Sequence, residues 1–206
     1  MARAPDTRLR LMDIAEAAIL EKGFGATSID EVIAAAGITK GGFFYHFPDK
    51  NALARALLLR YIEREETLLD AVFGRAQAEH EDPLEAFLAG LKSLAELMDD
   101  LPNGHPGCLI ATYCYNERLF DQEVRALYTE AMLSWRVRFR AHLDAIVARH
   151  PPRDDIDLDA LADMVNAIID GGIVMQRALN DPTMLGKQIM LLRGYIRLLF
   201  AEPAAA

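Results

Sequence analysis

The chain has 206 residues, of which 52% are hydrophobic and 26% charged, and 22 Lys or Arg against 31 Asp or Glu leave a net charge of -9. That length accommodates a small head and a larger helical body. No apolar run reaches the ~18 residues of a membrane span. The first residues are polar, then amphipathic, with no apolar signal-peptide core, so a cytoplasmic protein is expected. The acid is unevenly placed: residues 1–50 hold six Lys or Arg and seven Asp or Glu, and nearly all the excess lies beyond them.

Along the chain, Arg3 to Asp6 forms a basic arm, read equally well as a frayed terminus or a minor-groove contact. A first helix is predicted over Thr7–Lys22, burying Leu11, Ile14, Ala15, Ala18 and Ile19, with Gly23 and Gly25 ending it. Ser28 and Glu31 have the S-x-x-E spacing of a capping box. Ile29, Val32, Ile33 and Ala36 then fall on one helical stripe, and Gly37 follows where a helix end favours positive φ. Thr39 can cap a short helix over Lys40–Phe47, which Pro48 stops. A fourth helix starts at Asp49 and is expected to reach Phe73, with Gly74 to Glu81 as a polar connection. Asp82-Pro83 is a cap followed by a first-turn proline, opening a fifth helix to Met98. After the loop DDLPNGHP, helices are predicted over Gly107–Asn116, Asp121–Arg149, Asp157–Asn180 and Pro182–Ala201. No alternating apolar-polar run suggests a sheet. The expected fold is all-α with about nine helices: a three-helix head over residues 1–50 and a helical effector-binding and dimerisation body over 51–206, the long fourth helix joining them.

The third helix is oddly built for packing alone. Gly41 and Gly42 each cost about 1 kcal/mol relative to alanine in a helix interior. Phe43 and Phe47 anchor one face at i, i+4 spacing, leaving Lys40, Gly41, Gly42, Tyr45 and His46 on or near the other. A helix-turn-helix lays such a helix in the major groove, with flanking groups on phosphates. On that reading Lys40 and Gly41 approach base edges and Gly42 packs close to the groove. Tyr45 and His46 meet phosphates or bases, and Thr27, Ser28, Thr39 and Lys50 hold phosphates.

Residues 7–60 also resemble the TetR/AcrR family of bacterial transcriptional regulators. The resemblance rests on Ile14 to Ala18, Gly23-Phe24, Thr27-Ser28-Ile29, Gly37-Ile38-Thr39-Lys40-Gly41, Tyr45-His46-Phe47, Lys50 and Leu53. It implies a dimeric regulator of double-stranded DNA, most often a repressor, whose palindromic operator is released when a small molecule binds the body. Phe44 stands where the family commonly has a tyrosine that bonds a phosphate, leaving Tyr45 as the candidate for that bond.

In the body, Met98, Cys108, Ile110, Thr112, Tyr113, Met132 and Trp135 supply apolar walls with a few polar handles, the make-up of a small-molecule pocket. No Lys or Arg cluster accompanies them, which favours a neutral, apolar effector. The last two helices carry more apolar surface than one stripe requires. By the resemblance, Leu161, Val165, Ile168, Gly172 and Met175 with Leu185, Ile189, Leu192 and Ile196 form the homodimer interface. Cys108 and Cys114, six apart, point about 120° away from each other on a helix. They read as small buried hydrophobes sooner than as a redox pair. No phosphate loop, nucleophile elbow, metalloprotease motif or zinc spacing is present, so no enzyme, metal or cofactor is expected. The near-neutral head keeps one other reading open, a ligand- or redox-sensing adaptor that does not bind DNA specifically.

Overall fold

A computed structural model describes residues 6–200; the arm at Arg3 and the expected last helical residue, Ala201, lie outside them. The described residues form nine α-helices and one 3-10 turn, with no strand: α1 Thr7–Lys22, α2 Ile29–Ala36, α3 Lys40–His46, α4 Lys50–Glu79, α5 Pro83–Asp99, α6 Leu109–Cys114, the turn Glu117–Leu119, α7 Gln122–Val147, α8 Leu158–Leu179 and α9 Met184–Phe200. No described helix is long and apolar enough to cross a membrane. Three of the caps, Ser28, Thr39 and Asp82, are those the sequence spells out, and Asp157 is a fourth. Ser28, Thr39, Asp82 and Asp157 each accept a backbone N–H of the helix they precede, each cap contributing about 1 kcal/mol.

Two compact units are present. The division between the two units falls inside α4, and α6 clusters with α1 to α3. The first comprises residues 6–64 together with Cys108–Ala131. Leu11, Ala15 and Ile19 of α1, Val32 of α2, Phe43 of α3 and Leu57 and Leu58 of α4 form its buried centre. Tyr113 of α6 is fully buried there: its hydroxyl donates to the Ala54 carbonyl at 3.1 Å. Its ring stacks on Phe120 with centroids 4.3 Å apart, and Phe24 closes the aromatic group. Arg60 bonds Asp13 and Glu16, both at 2.6 Å, and Arg64 reaches Glu16 at 3.0 Å, clamping α1 to α4.

The second unit comprises Glu65–Gly107 and residues 132–200. Here α4 continues to Glu79, past the break expected at Gly74. Phe73 and Ala76 are buried on its inner face and Arg75 pairs with Glu79 one turn on, so packing and a local ion pair carry the helix across one exposed glycine. Helix α7 is held on two sides. Arg138 bonds Glu66 and Asp70 of α4, while Arg136 grips Asp163 of α8 through two bonds of 2.7 and 2.6 Å and Arg140 reaches Asp159 at 2.6 Å. The loop after α5 is clasped to α8 by Gln176, whose amide exchanges bonds with the His105 backbone.

Seven of the nine residues assigned to the dimer interface, Leu161, Val165, Gly172, Leu185, Ile189, Leu192 and Ile196, are buried within the single chain. Gly172 lies directly against Leu185 and Gly186 against Asp99, so these residues pack α9 onto α8 and α5. Of the other two, Ile168 is half-buried and Met175 exposed. The cysteines also differ from each other. Cys108 is buried, its sulfur accepting the Ala111 N–H at the start of α6, whereas Cys114 is exposed; no disulfide joins them.

Candidate nucleic-acid interface

Helix α3 is presented from its back. Phe43 and Phe47 are buried, their rings 5.8 Å apart, and fix the helix to the first unit. Thr39 caps it by accepting the Gly42 N–H at 3.2 Å. Its outward side carries Thr39, Lys40, Gly41, Phe44 and Tyr45, all exposed, with Gly42 and His46 at the margin. Tyr45 is 85% exposed, and its ring meets His46 edge-on at 5.1 Å. Phe44 is exposed but has no hydroxyl to donate.

The glycines are not there for packing. A Cβ on Gly41 would come no nearer than 4.0 Å to another atom, and one on Gly42 would make ordinary contacts with Thr39 and Ile38. Both are helical and have no positive φ to justify them. Their helix cost is therefore unexplained within the chain and consistent with a partner surface approaching the backbone.

Most of the head's positive charge has partners inside the unit. Arg10 donates to the Ala36 carbonyl at 2.6 Å, holding the C-terminal end of α2, and Arg8 lies over the Phe47 ring. Lys22 pairs with Glu31 and holds that carboxyl below its usual value. Lys40 keeps only a loose, exposed pairing with Asp30 at 3.8 Å. Lys50 and Thr27, assigned to phosphates from the sequence, are engaged elsewhere. The Lys50 ammonium donates to the Phe24 carbonyl at 2.6 Å and sits 4.2 Å from that ring's centre; burial pushes it below the ordinary lysine value. Thr27 is buried and donates to the Gly23 carbonyl at 3.0 Å. Both secure the turn between α1 and α2. Ser28 remains exposed beside the cap it makes.

The candidate effector residues are also placed. In the first unit Cys108, Ile110 and Tyr113 are buried and Thr112 is half-buried, its hydroxyl bonded to the Cys108 carbonyl. In the second, Met98 and Trp135 are buried and Met132 is half-buried. Among the described residues no group of His, Cys, Asp or Glu could hold a metal.

The profile for bacterial regulatory proteins of the tetR family matches residues 11–57, and that for the tetracyclin repressor-like C-terminal domain matches residues 81–190. The chain belongs to the TetR family. It is a ligand-responsive, DNA-binding transcriptional regulator. Among similar proteins, the uncharacterized HTH-type transcriptional regulator YxaF of Bacillus subtilis is 22% identical, covering 90% of this chain and 92% of its own. The HTH-type transcriptional repressor DhaR of Mycobacterium sp. is 24% identical over 86% and 85%. A TetR transcriptional regulator from Chloroflexus aurantiacus superposes with a TM-score of 0.75 at 26% identity, over 94% of this chain and 95% of that one. The tetR-family match over residues 11–57 covers α1 to α3, so the helix-turn-helix lies in this N-terminal region.

Proposed function

We propose that this regulator is a repressor that binds an inverted-repeat operator as a homodimer and leaves it when a small apolar effector occupies the helical body. The observation that carries the DNA half is α3: a recognition helix anchored by Phe43 and Phe47, with Lys40, Gly41 and Tyr45 turned outward and no packing reason for its glycines. Lys40 and Gly41 meet base edges, Gly42 lets the backbone close on the groove, and Tyr45, His46, Ser28 and Thr39 contact phosphates or base edges. The repressor sign is supported by the relatives named as repressors, DhaR and the Brucella suis protein BepR, which is 30% identical over 47% of this chain and 44% of its own.

Dimerisation is supported by an exposed stripe on the last two helices, separate from the buried one. Met175 and Leu179 on α8 and Leu191, Tyr195 and Leu198 on α9 face outward, and Gly171 and Gly194 beside them leave room for a second chain's backbone. An effector then acts by population shift: it must bind the released conformation more tightly than the operator-bound one.

Selection from a random duplex pool at low salt, followed by sequencing, tests the reading. An enriched inverted repeat is the expected result. No enrichment by protein shown to be folded and dimeric overturns it.

A further inference from the structure

Among the outward side chains of α3, Phe44 alone is large and wholly apolar. It is 40% exposed, and its ring has no atom that can donate or accept a hydrogen bond. It follows Lys40 by four residues and Gly41 by three, so the three lie along one side of the helix. A helical side chain leans back over the turn before its own Cα, which carries the Phe44 ring toward Lys40 and Gly41. The ring does not close over the glycine: it stays more than 4 Å from the place a Gly41 Cβ would take, where the nearest contact is the Thr39 hydroxyl oxygen at 4.0 Å. The result is a shallow apolar step, with a ring for its wall and bare backbone for its floor. The wall is held in place. Phe44 meets Phe43 edge-on, with centroids 5.4 Å apart and planes at 87°, and Phe43 is fully buried beside Phe47. The step therefore exists before any partner arrives, and little side-chain freedom is left to lose on binding.

A major groove offers such a surface one matching group. Base edges present hydrogen-bond donors and acceptors, and thymine adds a C5-methyl, the only apolar group among them. A phenyl ring laid on any other edge covers polar atoms without replacing their bonds to water, at a cost. We infer that Phe44 selects a thymine in each operator half-site by packing its ring against the C5-methyl, beside the backbone at Gly41. The inference rests on the proposed seating of α3 in the major groove and adds a base preference to it.

The test uses the full-length protein and the operator recovered by selection. Each thymine of the half-sites, on either strand, is replaced in turn by deoxyuridine, which deletes the methyl and keeps the hydrogen bonds of the pair. At one symmetry-related position the loss is expected to weaken binding about fourfold when one half-site is changed, as for one buried methyl group, and about tenfold or more when both are. Phe44→Ala, with folding checked by circular dichroism, should bind the thymine and deoxyuridine operators within about 1.5-fold of each other. Phe44→Gln, which keeps a long side chain over Phe43, should equalise them in the same way and covers the case in which Phe44→Ala fails to fold. Half-sites whose thymine methyls are all dispensable overturn the inference and leave the operator reading standing. So does a methyl preference that survives both substitutions, whatever happens to overall affinity. Recovery of no operator from folded, dimeric protein removes the seating of α3, and this inference with it.

Discussion

Gly41 sits in the first turn of α3 with open space where a side chain would begin. Gly41→Ala is therefore expected to leave thermal stability unchanged or raise it by up to about 1 kcal/mol. The same variant should bind the selected operator about tenfold more weakly, a loss of ~1.4 kcal/mol, because the methyl group stands between backbone and groove. Thermal denaturation beside an operator titration checks both halves; unchanged affinity would show that the glycine is not at the interface. Lys50 gives the opposite pattern. Its ammonium secures the Phe24 carbonyl and ring, so Lys50→Ala should lower stability by on the order of 1 kcal/mol, its partial exposure keeping the figure small. The slope of log affinity against log salt should not change, whereas loss of a phosphate contact would make it shallower by about one unit. The sequence identifies Lys50 and Thr27 as donors near the motif. It does not reveal that their acceptors, the Phe24 and Gly23 carbonyls, belong to the preceding turn, because a side chain's partner is a tertiary fact. The outward set Lys40, Gly41 and Tyr45 was legible because Phe43 and Phe47 leave only one face for solvent.

Helix starts were readable because a cap is local chemistry. Ser28, Thr39 and Asp82 each bond a backbone N–H two or three residues on, and a short window of sequence contains the whole interaction. The end of α4 was not, because continuation through Gly74 depends on the burial of Phe73 and Ala76 against residues far along the chain. Two glycines of this unit turn that contrast into a test. Nothing lies near a Cβ built on Gly74, so Gly74→Ala should stabilise the protein by about 1 kcal/mol. A Cβ on Gly90 would fall 2.5 Å from the Phe73 ring, so Gly90→Ala should destabilise it by about 1–3 kcal/mol. Denaturant titrations of both variants decide it, and equal shifts would mean that α4 and α5 do not pack as described. His142, on α7, adds a pH dependence. Its ring packs against both Phe73 and Phe87, and burial, then the Arg138 charge, holds the imidazole below its ordinary value of 6.5. The unfolded chain therefore takes up this proton first as pH falls. The associated stability is whole above about pH 6.5 and is lost as pH drops through the lower folded value. Melting temperatures from about pH 7 down to about pH 5 should fall less for His142→Gln than for the natural chain; parallel curves would exclude His142 as the source.

The whole molecule poses a question that helical periodicity leaves open: which of two apolar stripes faces the chain's own core. On α9, Leu185, Ile189, Leu192 and Ile196 form one stripe and Leu191, Tyr195 and Leu198 the next, only about 100° around the helix from each other. Both are apolar, so the surplus is visible in the sequence, but its direction depends on where α5 and α8 lie. The structure puts the first stripe inside and leaves Leu191 66% and Leu198 61% exposed. Neighbouring residues should therefore respond in opposite ways to the same substitution. Leu191→Glu and Leu198→Glu together should give a folded monomer, with helical circular dichroism retained and half the mass by light scattering. Leu192→Glu places an unpaired charge in the core and should cost the fold itself. The folded monomer should lose specific operator binding, because a single head with Lys40 only loosely paired and most of its other cations engaged has few phosphate contacts to offer. A persisting dimer in the double variant would move the interface off this face. A folded monomer that still binds the full inverted repeat at natural affinity would mean that the two heads do not act together.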